Sequence, residues 1–181
     1  YVYALTRGKN NKAALDSINS LKRLALDLDY PDGIDMANQA LADYYLSNDL
    51  KQEGLALYED ILAGMEKKDV PLVKRINIIR QLLNKAPGQE KKLEYLGLLK
   101  KYLDQCDRDG IVKLDDENRV STLKYTMNRG FAMTYLHLGK NDLALRYLKQ
   151  AEALLKEYNI ANRQLEIKTI YAVYYWNVER S

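Results

Sequence analysis

The sequence predicts an all-α fold, a superhelical solenoid of antiparallel helix pairs, and three observations carry that prediction. Apolar residues recur at three- and four-residue spacing over stretches of helical length, without the alternation a strand requires. Short polar or Pro/Gly runs punctuate these stretches, notably Tyr30-Pro31-Asp32-Gly33, Ser47-Asn48-Asp49 and Lys85-Ala86-Pro87-Gly88. Within residues 128–153, Ala132, Tyr135, Gly139, Ala144, Leu148 and Ala151 set small side chains where two helices touch and large ones in the gaps, with a glycine in the turn.

The elements follow in order. A first helix is expected over residues 11–29, where Ala14, Leu15, Ile18, Leu21, Ala25 and Leu28 form one stripe. The run 30–33 stops it, because proline cannot continue the backbone hydrogen bonding. A pair over 34–46 and 50–67 ends before Pro71, and a third pair over 71–83 and 89–106 is broken at 85–88. The fourth spans 117–138 and 141–158, and a last helix over 162–178 begins a fifth unit. Gly97 and Gly130 fall inside helices, where a close neighbouring helix is expected.

The small and aromatic positions of 128–153 resemble the tetratricopeptide repeat (TPR). Taking Ala132 as the small residue of a first helix, the equivalent positions are Tyr1, Ala42, Ile79 and Ala172, at steps of 41, 37, 53 and 40 residues. The tyrosine position is filled by Ala4, Tyr45, Leu82, Tyr135 and Tyr175. All steps exceed the family's period of about 34 residues. The largest holds an insertion, assigned to residues 107–118. Gly54 stands where alanine is usual, Ile79 where a small residue is usual, and Glu66 and Lys156 where proline is usual. The resemblance implies one repeat domain over 1–181, in units of about 1–33, 34–70, 71–116, 117–160 and 161–181.

It also implies a concave groove lined by the first helix of each pair. Carried onto this numbering, the partner-binding residues are Gln39, Asp43, Ile76, Arg80, Asn84, Arg129, Met133 and His137, with Met36, Glu166, Thr169, Val173 and Trp176 along the same face. Donors beside soft apolar side chains suit an extended peptide or a partner helix. The arginines are equally explained as solvated partners of acids such as Asp43. Paired Lys and Asn on successive first helices, which some family members use to grip a C-terminal carboxylate, are missing at most of those positions.

Composition bounds the rest. Over 181 residues, 47% are hydrophobic and 29% charged, which is ample for a folded core. A net charge of +3, from 28 basic and 25 acidic residues interspersed along the chain, lacks the concentrated basic stripe of a duplex binder, so no nucleic-acid partner is expected. No apolar run approaches the roughly 18 residues of a membrane span, so this segment is expected to make no membrane contact. The opening YVYALTRG and the aromatic close around Tyr171, Tyr174, Tyr175 and Trp176 read as cut edges, and an excised region of a longer protein is expected. Oligomers are compatible with these features.

Chemical constellations are sparse. His137 is the only histidine, which suggests neither a two-histidine metal site nor a nucleophile–histidine arrangement. Cys106 is the only cysteine and reads as a small buried side chain near a helix end. Gln105, Asp107, Asp109, Gly110, Val112 and Asp116 approximate a twelve-residue calcium loop. The acids of that loop serve equally to cap the next helix. The fifteen tyrosines are expected to fill interhelical gaps with their hydroxyls reaching water or a carbonyl at the edge, or to serve in the groove as amphipathic anchors.

No catalytic residue, cofactor or metal is therefore expected. The expected role is a non-catalytic protein- or peptide-interaction or ligand-sensing module. Its long repeats and Lys, Asn and Tyr richness are similar to the repeat-containing sensor regions of bacterial two-component histidine kinases, which implies a periplasmic location. The alternative is the peptide-responsive domain of a cytoplasmic transcriptional regulator.

Overall fold

The computed structural model describes residues 11–116, 119–158 and 163–179. Every regular element among them is a helix: α1 (Asn11–Asp27), α2 (Pro31–Ser47), α3 (Lys51–Lys67), α4 (Leu72–Lys85), α5 (Gln89–Arg108), α6 (Val120–His137), α7 (Asn141–Glu157) and α8 (Gln164–Glu179). One isolated bridge joins Lys113 to Arg119 in the insertion between α5 and α6. The frame positions Tyr1 and Ala4 lie outside the described residues.

The chain divides into two compact units, Tyr1–Lys85 and Ala86–Ser181. The division falls between the helices of the expected third pair, at the Lys-Ala-Pro-Gly run that ends α4. In the first unit α1 packs on α2, α2 on α3 and α3 on α4. In the second, α5 packs on α6, α6 on α7 and α7 on α8, while α6 also touches α8.

The first unit is metrically regular. Its first three described helices are each 17 residues long and joined by three-residue turns, a helix-plus-turn period of 20. Each turn sets one residue in the left-handed region, Asp29 (φ 46°), Asp49 (φ 62°) and Asp69 (φ 50°). In each, the next amide donates back five residues, Tyr30 N to Ala25 O at 2.8 Å, Leu50 N to Tyr45 O at 3.0 Å and Val70 N to Met65 O at 3.0 Å. This is the Schellman closure, which satisfies carbonyls the helix end leaves open. The second unit repeats it with glycine at Gly110 (φ 66°) and Gly139 (φ 68°).

Pro31 corrects the expected boundary. It is the first residue of α2 and does not belong to a four-residue stop, because a proline's fixed φ and missing N–H are harmless at that position. Helix α1 accordingly ends at Asp27, and Leu28, expected on the apolar stripe, sits in the turn 66% exposed.

Glycine marks the closest approaches. A Cβ on Gly54 would lie 2.5 Å from Leu46 Cγ and 2.9 Å from the Ala42 carbonyl, so α3 lies against α2 without room for the usual alanine. A Cβ on Gly130 would lie 2.8 Å from Leu96 Cδ2, the expected close neighbour. Gly97 has nothing within 4 Å and faces open space, contrary to expectation.

The α6–α7 seam is the one the sequence describes. Ala132, Ala144, Leu148 and Ala151 are all fully or almost fully buried in one cluster. Larger rings fill the gaps beside them: Phe131 stacks on Tyr147 at 4.5 Å between centroids, and Tyr135 on Tyr147 at 5.7 Å.

Candidate functional site

In the first unit, α2 and α4 border a cleft of about 270 Å³ whose walls include Tyr30, Asp35, Met36, Gln39, Lys74 and Asn77. Charged pairs tie its two walls. Lys74 donates to Asp32 at 2.6 Å and Lys85 to Asp43 at 2.5 Å, both across a separation of 42 residues. The hydrogen bond to Asp32 is the main reason the Lys74 ammonium is held above its ordinary value. Asp43 also accepts from the Tyr58 hydroxyl of α3 at 2.9 Å. Burial, then the Asp43 charge, push that phenol well above its usual range, so it remains a donor.

In the second unit the corresponding helices are α6 and α8. Glu166 accepts from the Tyr125 hydroxyl at 2.8 Å and from Arg163 Nη1 at 2.6 Å, and pairs with Arg129 Nη1 at 3.6 Å. Burial alone would raise the Glu166 carboxyl, but the hydrogen bonds from Tyr125 and Arg163 and the charge of Arg129 leave it below the usual carboxylate range. Burial and the Glu166 hydrogen bond push Tyr125 up to about 12. The Tyr125–Glu166 separation is 41 residues, close to that of the pairs in the first unit.

The sequence-derived residues distribute unevenly over these faces. Gln39 lines the α2–α4 cleft, and Asp43 lies one turn further on, engaged by Tyr58 and Lys85. Ile76 is 1% exposed and belongs to the core, not to a groove. Arg80 and Asn84 are exposed on α4, and Lys74 and Lys85 of the same helix reach Asp32 and Asp43 of α2. In the first two turns of this helix the cleft is lined by Lys74 and Asn77, one residue on from the expected Val73 and Ile76. Arg129 reaches Glu166, Met133 packs against the α6–α7–α8 cluster, and His137 is exposed with its Nδ1 donating to the Met133 carbonyl at 2.7 Å.

The sequence reading missed Lys74, Asn77 and Lys85. Their signal was present as a polar stripe, Lys74-Asn77-Gln81-Lys85, threaded between Ile76, Ile79 and Leu82 at helical spacing. It also missed the phenol–carboxylate–cation arrangement, which recurs where Tyr171 donates to Glu152 at 2.8 Å with Lys156 at 2.9 Å.

The chemistry of these faces is that of charge and hydrogen bonding. Among the described residues no group of three His, Cys, Asp or Glu side chains could hold a metal ion. The calcium-loop pattern fails for a geometric reason: α5 continues to Arg108, so Gln105 and Asp107 are helical, Asp107 turns to Lys124 at 2.5 Å and Asp116 to Lys113 at 2.7 Å. Cys106 is buried, and burial, with Asp107 and Asp109 nearby, raises its thiol further from ionisation. No helix among the described residues is long and apolar enough to cross a membrane.

No family model matches the chain, and neither does a curated protein or a solved structure.

Proposed function

We propose that this chain is a non-catalytic protein- or peptide-interaction or ligand-sensing module, a TPR-like helical repeat that binds along the faces of its alternate helices. The observation that carries this reading is the pairing of α6 and α8 through Arg129 and Glu166. On the same face of α8, seven residues beyond Glu166, Val173 remains 39% exposed. A charged pair followed along one helix face by an open apolar side chain is a combination that can fix one end of a peptide while its side chains find apolar contact. The α2–α4 cleft offers a similar mixture, with Met36 and Tyr30 beside Asp35 and Lys74. In its specific form the proposal makes the chain the sensor part of a bacterial signalling protein such as a two-component histidine kinase, a form that rests on the residue pattern alone.

The test is retention of a partner from cell extract by the wild-type chain, by Arg129→Glu and by Lys149→Glu on the exposed side of α7. Loss with Arg129→Glu at an unchanged melting temperature, with retention by Lys149→Glu, is the expected result. Loss with Lys149→Glu and retention by Arg129→Glu would overturn the assignment of the face.

A further inference from the structure

In the second unit, the insertion between α5 and α6 borders a cleft of about 370 Å³ with the first turns of α6 and the residue that ends α7. Three cations stand in its wall, Lys113, Arg119 and Lys124, against one carboxylate, Asp107. Asp107 is engaged by Lys124, whose ammonium lies 2.5 Å from both of its oxygens. The surplus positive charge therefore sits on Lys113 and Arg119. These two face each other across the isolated antiparallel bridge. Because Val120 N donates to Val112 O at 3.1 Å, theirs is the non-hydrogen-bonded kind of pair, in which facing side chains come closest. Like charges directly opposite one another destabilise such a pair. Among the described residues no carboxylate meets Arg119, and the one that meets Lys113, Asp116 at 2.7 Å, is fully exposed and contributes little. Beside the cations the wall is apolar and open, with Val112 81% exposed and Tyr158 52%.

We propose that this cleft binds a small organic phosphate, its phosphate group between Lys113 and Arg119 and its apolar part against Val112 and the Tyr158 ring. A phosphomonoester carries about two negative charges at neutral pH, which matches the surplus that Lys113, Arg119 and Lys124 hold over Asp107. Set between the two opposed side chains, it turns a repulsion into charge-assisted contacts, and the arginine fork suits two oxygens of one phosphate. A single carboxylate brings half that charge. The cleft has the volume of a small-ligand pocket, and its apolar wall gives an organic phosphate contact that a bare ion cannot use. The site shares no residue with the Arg129–Glu166 pairing, so it stands or falls separately from the partner-binding reading.

Isothermal titration calorimetry of the 181-residue chain at low ionic strength, with phenyl phosphate and inorganic phosphate as probes, reads the result. Phenyl phosphate should saturate the chain with a dissociation constant on the order of 0.1–1 mM, and inorganic phosphate should bind roughly tenfold more weakly. Arg119→Gln should weaken phenyl phosphate about tenfold, while Lys149→Gln, on the exposed side of α7, should change it less than about twofold. Tyr158→Ala should bring the two probes to within about threefold of each other. Without ligand, Arg119→Gln should melt no lower than wild type, since one of two opposed like charges is gone, which separates lost binding from lost folding. No saturation by phenyl phosphate at about ten times the expected constant would overturn the site. So would equal affinity for the two probes, or a Lys149→Gln effect as large as that of Arg119→Gln.

Discussion

Replacing Asp29, Asp49 and Asp69 singly by glycine separates two effects that occupy one position. All three sit in the left-handed region, at φ 46°, 62° and 50°. That conformation costs an ordinary L residue about 1–2 kcal/mol, less for aspartate, and glycine escapes it while conceding some entropy to the unfolded chain. A net gain of about 0.5–1 kcal/mol is expected at positions 29 and 49, or a melting temperature higher by about 2–3 °C. Asp69 differs because its carboxylate meets Arg75 Nη2 at 2.5 Å, and the Arg75 side chain is only 9% exposed. A charged hydrogen bond of this kind contributes about 1.5–3 kcal/mol, discounted here to about 1–2 because the Asp69 side is open to water. Arg75 keeps its bond from Nε to the Val70 carbonyl. Asp69→Gly should therefore end between level with wild type and about 1.5 kcal/mol below it, and about 1–2 kcal/mol below Asp49→Gly. Thermal unfolding followed by far-ultraviolet circular dichroism resolves such differences. If Asp29→Gly and Asp49→Gly both lower the melting temperature, the turns hold no conformational strain. If Asp69→Gly rises with them, the Arg75 pair contributes nothing.

Gly54→Ala should destabilise by about 1–3 kcal/mol, since the new methyl meets a backbone carbonyl at 2.9 Å, whereas Gly64→Ala, with nothing within 4 Å, should stabilise by about 0.5–1 kcal/mol; chemical denaturation of both checks the contrast. Ala144→Leu adds three carbons to a site 1% exposed, and should cost about 1–3 kcal/mol and loosen the α6–α7 pair, visible as faster amide exchange in those helices. Glu166 is held below its ordinary value of 4.5, so its contribution is complete above that value and disappears as pH falls through the lower, folded one. The melting temperature of Glu166→Gln should therefore lie below wild type at neutral pH and converge with it in acid; a gap that stays constant down to full protonation would contradict the assigned contacts.

How much was legible beforehand depends on how many uses a residue has. Ala132, Ala144 and Ala151 were read as helix contacts and are buried as such, because a small side chain between two apolar stripes has little other purpose. Helix α4 was ambiguous for the opposite reason. Ile76, Ile78, Ile79 and Leu82 are all buried, and so dense an apolar run admits two neighbouring registers; the choice is made by Lys74 and Lys85 finding acids 42 residues away, a fact of tertiary geometry. Pro31 was misjudged since one residue type both ends and begins helices. The tyrosine hydroxyls of Tyr58, Tyr125 and Tyr171 were expected at water or a carbonyl and instead meet carboxylates from other helices, which spacing along the chain does not encode.

Equal helix length also makes the first unit a ruler. Seventeen residues at 1.5 Å each fix the height of α2 at about 25 Å. An extended chain laid lengthwise beside it is measured over about seven residues before it runs off the end. A longer message would have to be read across the helices, one rung at a time.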